Sequence, residues 1–472
     1  MSDEPANDAV AMPKPIPPWV QVPRLEAILG GPASDLTWER LQDLVRRQVP
    51  EDVVLEYKSE LYGRAERDKQ ELCKDAAAFA NGGGGLIVIG IAEDLQGRAA
   101  TLRPLADLEQ ESRRMAEVLI GGLAPWVSNL AIWTCDDPEG DQTGALLVLI
   151  PPSDDAPHAV RRGNAYAWPV RQDRMTRWMR EPELASRYRD RFRGAEEAAR
   201  RSDRVAQDGL RRLDRRDICW LALVLTPMRP GRLRADRDAY KGWLGTEMTG
   251  LPIGIPVQAA VLGRRRIVFT DQYMFRGMSR DHHVELHEDG SGFAAVAINE
   301  RRDIADLSRL DLPEHQTFDV DSVIQWTVGY LRMLAAHAVN ANSGGDFIVN
   351  ARLVPGLGQH DEVSAQSSMS LVPSEPFTDS NGSYFGQRIV PGSMPVVDPS
   401  ALEVATTPSI ASSAGDLISV ASEITRELLA EFASIPTEQV LSDDGYILNR
   451  RPAGALASLI SWAQHRGVLA DR

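Results

Sequence analysis

The chain has 472 residues, 43% of them hydrophobic and 25% charged, with a formal net charge of −15. That length supports two or three domains with sizeable cores, and the acidic balance argues against a general nucleic-acid coat protein. Three scattered cysteines, Cys73, Cys135 and Cys219, include no CxxC pair, which argues against a disulfide framework and a thiolate zinc site. No apolar run has the length needed to cross a membrane, and the N-terminus lacks a basic region followed by an apolar core. A cytoplasmic protein with no membrane partner is therefore expected. The charge is uneven: from Arg161 to Arg216 there are 17 Arg, no Lys and 9 Asp or Glu, a net +8. Such a belt is either an anion-binding surface or a charge-laced helix.

In chain order, residues 1–29 read as a proline-rich disordered tail. TWERLQDLVRRQ (37–48) sets Trp38, Leu41 and Leu44 at helical spacing. EDVVLEYKSE follows as a strand. ERDKQELCKDAAAFA (66–80) puts Leu72, Ala76, Phe79 and Ala80 on one helical face, with Lys69, Glu71, Lys74 and Asp75 mostly elsewhere. LIVIGIA (86–92) is a buried strand and DLEQESRRMAEVLIGGL (107–123) an amphipathic helix. NLAIWTC, ALLVLIPP and the shorter YAWPVR are strands, and EPELASRYRDRFRGAEEAAR is a long helix with proline at a tolerated early position. Residues 30–200 thus form a first domain. A second, at 201–356, opens on the strand ICWLALVLTP, followed by a hairpin, HHVELHEDGSGFAAVAI, a helix at 320–339 and the strand DFIVNARLV. Residues 357–416, rich in Ser, Pro, Gly and Asp, read as linker or loops, and 417–472 as C-terminal helices.

FANGGGGLIVIG (79–90) invites a phosphate-loop reading. Rossmann and P-loop sites need strand, glycine turn, helix, because the helix N-terminus supplies free N–H donors. Here the order is helix, glycines, strand. The chain has five lysines, at 14, 58, 69, 74 and 241, and none follows a glycine as GK[ST] requires. An ATP site of that kind is disfavoured, and Gly82 to Gly85 read as positive-φ positions allowing close backbone approach.

Beside that turn stand carboxylates. Glu51 and Glu56 lie five apart in E-D-V-V-L-E-Y-K, and Glu93 and Asp94 follow the buried strand in G-I-A-E-D. Acids at the ends of neighbouring strands can converge on Mg²⁺ or Mn²⁺, which prefer hard oxygen ligands. Such a metal activates water and neutralises a phosphodiester in its transition state. Lys58 shares strand parity with Glu56 and could contact a phosphate. The competing reading is that these acids are solvated strand ends.

Together, E-D-V-V-L-E-Y-K, A-F-A-N and G-G-L-I-V-I-G-I followed by acids resemble the Schlafen-type AlbA-like domain. GNAYAWPVRQDRMTRWMREPELASRYRDR is similar to that domain's closing strand and helix, so the resemblance covers roughly 48–195. It implies an α+β fold, a mixed sheet flanked by helices, followed here by a second α/β region. Asn81, Gly83, Gly84 and Gly90 fall on its structural turn. Bacterial versions are often labelled DNA-binding or divergent ATP-binding, and a bacterial source is expected. In animal Schlafens three carboxylates form the centre of a metal-dependent endoribonuclease acting on tRNA-like and other structured RNA. Carried over by motif position, these are Glu51, Glu56 and Glu93, with Lys58 beside them. The family usually has aspartate at the third position, which leaves Glu93 and Asp94 competing. Mg or Mn is the implied cofactor. The helicase-like part and the zinc site of long Schlafens have no counterpart, and nothing after about 210 matches a known family.

Tyr166, Trp168, Arg171, Arg174, Arg177 and Trp178 interleave aromatic and basic side chains, the composition of a surface that stacks bases and neutralises phosphates. A packed strand with solvated arginines is the alternative. His283, Glu285 and His287 alternate along the hairpin opposite Val284 and Leu286, a metal-ligand pattern that is more commonly the wet side of a half-exposed sheet. No GxSxG elbow occurs and His158 has no evident nucleophile. Two functions follow: a metal-dependent endoribonuclease, or a non-catalytic DNA- or RNA-binding regulator. RNA is expected ahead of DNA. Oligomeric state stays open, with a homodimer as the form considered.

Overall fold

The computed structural model describes residues 22–472 apart from 128–129, 164, 216–217, 234–260, 263–264, 276–277, 300–314, 342, 358–368, 379–383, 433–439, 449–455 and 471–472. Helices and mixed sheets alternate along the chain, which is α+β, and it divides between Arg193 and Gly194 into two compact units.

The first unit begins with α1 (Pro23–Leu29), within the segment expected to be tail; residues 1–21 of that segment lie outside the described residues. Proline in its first turn and the left-handed Gly30 at its end set the limits of α1. There follow α2 (Trp38–Arg46), β1 (Leu55–Lys58), α3 (Glu66–Gly82), β2 (Gly85–Ile89), β3 (Ile91–Glu93), β4 (Ala99–Leu102), α4 (Leu108–Gly122), β5 (Leu123–Ala124), β6 (Ala131–Asp136) and β7 (Gly144–Ile150). The main sheet runs β1-β2-β7-β6, with β1 parallel to β2 and the other pairs antiparallel. β2 and β7 are buried along their whole length, as their apolar sequences require of central strands.

Strand alternation then decides where the charges go. Leu55 and Tyr57 share one sheet face with Leu86 and Val88 and pack with Leu25, Trp38, Leu41 and Leu44 of α1 and α2. Glu56 and Lys58 share the other face with Ile87 and Ile89, where Leu72, Ala76 and Phe79 of α3 and Met115 and Leu119 of α4 cover the sheet. Two acid–base side chains are thereby placed in a core between sheet and helix.

The chain continues through β8 (Ala159–Arg162), β9 (Ala165–Ala167), β10 (Pro169–Gln172) and β11 (Met175–Trp178) into the long α5 (Glu181–Leu210), within which the division between units falls. YAWPVR, read as a single strand, is split between β9 and β10: β9 pairs with β8, and β10 forms its own hairpin with β11.

In the second unit a seven-stranded antiparallel sheet runs β13-β14-β15-β16-β12-β18-β21, from β12 (Trp220–Arg229), β13 (Val261–Leu262), β14 (Arg266–Phe275), β15 (Met278–His287), β16 (Gly292–Ala297), β18 (Gly344–Val354) and β21 (Leu402–Thr406). A smaller sheet joins β17 (His315–Asp319), β19 (Ser370–Thr378) and β20 (Tyr384–Ile389). The apolar helix α6 (Val320–Asn340) is buried around nearly its whole circumference, and Asp319 caps it by accepting from the Ser322 N–H. α7 (Ala414–Ala430) and α8 (Ala457–Arg466) complete the main core, and the short β22 (Ile447–Leu448) and β23 (Leu469–Ala470) pair near the end. The expected linker at 357–416 therefore contributes β19, β20 and β21. Composition misleads there because tertiary pairing supplies the ladder.

Candidate functional site

The glycine turn is a helix stop. Gly83 and Gly84 both donate their N–H groups to the Phe79 carbonyl, at 3.1 and 2.9 Å, and both have positive φ. A side chain on Gly85 would meet the Phe79 ring at 2.2 Å, so helix and strand close only over glycine. Gly90, at φ +116, ends β2 and donates to the Lys58 carbonyl at 2.7 Å. Asn81 does more than turn the chain. Its amide donates to the His158 and Pro169 carbonyls at 2.9 and 2.8 Å and accepts the His158 N–H at 2.7 Å. It thus ties the end of α3 to the start of β10.

That tie brings Arg171 of β10 to Glu56 of β1, 115 positions away. Both are buried, the Arg171 side chain to 3% exposure, and its guanidinium is ion-paired with Glu56 Oε2. The second guanidinium nitrogen donates to the Asp52 carbonyl at 3.3 Å, and the group lies over the Phe79 ring, 4.6 Å from its centroid. Gly82 lies against it: a Cβ there would sit in ordinary contact with Arg171 Cβ, at 3.4 Å. Lys58 takes the other Glu56 oxygen at 2.5 Å and lies 3.7 Å from Asp75. Asp75 is 3% exposed and accepts from the Tyr62 hydroxyl at 2.8 Å. The helical pattern of α3 had put Asp75 off the buried face; instead its carboxyl turns inward to Tyr62 and the lysines. Burial and then Glu56 push its pKa up to about 6, against Lys58 and Lys74. For Lys58, burial alone would depress the ammonium pKa, but Glu56 and Asp75 move it upward overall.

Glu51 accepts the Tyr57 N–H at 2.9 Å. Burial pushes its pKa up to about 7; that N–H opposes the rise, while the charges of Glu93 and Glu56 add to it and Arg171 offsets them. Glu51 therefore feels the charges of both Glu56 and Glu93. Asp94 serves a different purpose. It accepts from the Gln96 and Arg98 N–H groups at 2.9 and 3.0 Å and pairs with the Arg98 guanidinium at 2.7 Å, closing the turn after β3. Between the two acids, Glu93 is the one beside the cluster.

The basic side chains sort differently from their sequence pattern. Arg171, expected at the nucleic-acid surface, is buried because its charge is matched inside by Glu56. Arg174 is exposed at the tip of the β10–β11 hairpin and donates to the Gln96 carbonyl at 2.7 Å, and Arg177 pairs with Glu183 at 2.7 Å. Trp168 is half-buried, and its indole N–H finds no acceptor among the described residues. The β8–β9 hairpin adds Arg161 and Arg162 to the aromatics already singled out: Arg161 is the register partner of Tyr166, which is 59% exposed, and Arg162 stacks over Trp178 at 5.3 Å.

Against this geometry, the family model described as Schlafen, AlbA_2 matches residues 51–180. These residues form a Schlafen AlbA_2 domain. The match spans Glu51 to Arg180 and so takes in the carboxylates, the glycine turn and both basic hairpins. No curated protein matches the chain.

The metal that this family resemblance implies does not fit the Schlafen AlbA_2 domain as arranged. Both oxygens of Glu56 are already engaged by fixed cations, and among the described residues no three His, Cys, Asp or Glu groups come together in a way that could hold an ion. A separate open groove of about 910 Å³ at the start of α4 alternates Arg64, Arg113 and Arg114 with Asp107, Glu109 and Asp136 and holds none of the expected site residues. In the second unit, His283, Glu285 and His287 are not a wet face. Glu285 is 1% exposed and pairs with Arg212 at 3.0 Å, Arg266 at 2.9 Å and His283 at 2.8 Å. Its opposite neighbours Val284 and Leu286 enter the main core, so both sides of β15 are covered here. Cys73, Cys135 and Cys219 are all buried. No helix among the described residues is long and apolar enough to cross a membrane.

Proposed function

We propose that the Schlafen AlbA_2 domain is a nucleic-acid-binding module whose contact surface is the pair of hairpins β8–β9 and β10–β11. The observation that carries this reading is the pairing of Arg161 with the exposed Tyr166, next to an Arg162 that lies over Trp178. An aromatic face stacks any base, and guanidinium groups around it neutralise the flanking phosphates. Arg162, steadied on Trp178, is preset for such a contact. Single-stranded or looped RNA suits this arrangement better than duplex, because stacking needs a base already splayed out. RNA ahead of DNA is the finer reading.

The competing reading is a metal-dependent endoribonuclease acting on structured RNA such as tRNA, with Mg²⁺ or Mn²⁺ at Glu51, Glu56 and Glu93 and Lys58 at the phosphate. The charges of Glu93 and Glu56 acting on Glu51 favour it; the ion pair from Arg171 to Glu56 weighs against it. Fluorescence anisotropy with labelled single-stranded RNA, single-stranded DNA and tRNA, in EDTA and across a salt series, tests the binding reading. Arg161→Ala with Arg162→Ala should weaken binding and make the slope of log K against log salt shallower by about one to two. A slope unchanged by both substitutions refutes the surface. Cleavage of tRNA that requires Mn²⁺ and vanishes in Glu56→Gln would establish the enzyme instead.

A further inference from the structure

Arg171 is held from three directions. Its guanidinium pairs with Glu56, donates to the Asp52 carbonyl and covers the Phe79 ring. Asn81 fixes the strand that carries it through the Pro169 carbonyl at 2.8 Å. Lys58 closes the remaining Glu56 oxygen at 2.5 Å. A divalent ion entering this cluster would have to displace a 3%-exposed guanidinium to gain Glu56 Oε2, or an ammonium to gain Oε1. Mg²⁺ and Mn²⁺ bind through available carboxylate oxygens and usually retain water ligands, whereas a buried guanidinium deprived of its carboxylate has no compensating solvent.

We infer that Arg171 is the built-in cation of this carboxylate cluster: it takes the place of a divalent metal and uses Glu56 to anchor the β10–β11 hairpin. The acids then act as a clasp, positioning the strand whose tip presents Arg174. This does not depend on nucleic acid being the ligand, because the test uses the metal alone. In that sense Arg171 is a positioning residue, and metal uptake is a readout that an ordinary packing role would leave unmoved.

The experiment titrates Mn²⁺ into the full chain and follows free ion by electron paramagnetic resonance. Wild type should take up no stoichiometric Mn²⁺ at millimolar concentration. Arg171→Met, similar in length and uncharged, leaves the cluster's acids short of one cation and should gain one site. Because charge count sets affinity for such ions, the gain should be on the order of tenfold or more, and adding Glu56→Gln should abolish it. A wild-type site that disappears in Glu56→Gln overturns the inference. So does an Arg171→Met protein with native circular dichroism and no gain in binding. Should Arg171→Met fail to fold, the wild-type titration decides: no uptake upholds the built-in cation, and a site lost in Glu51→Gln overturns it.

Discussion

Neutralising Glu56 while preserving its shape separates a clasp from a vacant ligand by the sign of one stability change. In Glu56→Gln, Arg171 keeps its buried position but loses the carboxylate paired with it; the Asp52 carbonyl at 3.3 Å and the Phe79 ring remain. Removing one partner of a buried ion pair typically costs about 3–5 kcal/mol, because the other charge stays desolvated. Lys58 adds less, since its side chain is 32% exposed and still has Asp75 nearby. A loss of about 3 kcal/mol is the expectation, roughly 6–12 °C in melting temperature for a unit of this size. If Glu56 were instead an idle carboxylate awaiting a metal, the same change would relieve its repulsion with Asp75 and Glu51 and leave stability equal or higher. Urea unfolding, with hydrogen exchange on peptides covering β2 to assign the change to the first unit, reads the difference. Adding Arg171→Met should restore most of the loss, because replacing both members of a buried pair by uncharged groups is often near neutral. A stable Glu56→Gln single mutant, or a double mutant no better than the single, refutes the clasp.

Glu51→Gln should change the pH dependence of stability. With the folded pKa raised to about 7 from an ordinary 4.5, the wild-type contribution is present below 4.5 and lost as pH rises through 7. Relative to wild type the mutant should therefore gain between pH 5 and pH 8, by about 1 kcal/mol after allowing for solvent screening, in matched urea titrations. Gly84→Ala should destabilise by about 2–3 kcal/mol, since it combines a left-handed backbone with overpacking; the added Cβ would meet Pro152 at 2.7 Å, and an unchanged melting temperature would refute the close-approach account. Tyr166→Ala should weaken single-stranded RNA binding by about 1–3 kcal/mol with little change in salt slope, whereas Tyr166→Phe should bind like wild type, as anisotropy can check.

Where local pattern and tertiary context agree, the sequence is readable. The 2-residue alternation of β1 placed Glu56 and Lys58 together, and the structure finds their head groups 2.5 Å apart. The helix–glycine–strand order predicted that the glycines end a helix, and Gly83 does cap the C-terminus of α3. Failures occur where a contact spans many residues. PVRQ sits in a basic stretch, so Arg171 reads as solvated; the Asn81 and Glu56 contacts, formed across the fold, hold it inward. Asp75 follows the same logic, since Tyr62 and Lys58 supply partners that a helical wheel does not see. In β19, Pro373 and Pro376 argue against a central strand, yet β19 lies between β17 and β20.

The same physics links these surprises to function. A charge run is legible as composition, but which arginines remain available to a ligand depends on the internal acids that claim some of them. Arg171 is claimed by Glu56 and Arg177 by Glu183, whereas the exposed Arg161 stands opposite Tyr166 and Arg162 is braced by an aromatic ring. Glu183 is already counted in the local excess of +8, but Glu56 lies outside 161–216, so that excess overstates the field that a polyanion would meet. Had every arginine been solvated, substitutions along 161–216 would weaken binding alike. With the charges divided in this way, Arg161 and Arg162 should govern the salt slope, while Arg171 should influence binding through the position of its hairpin.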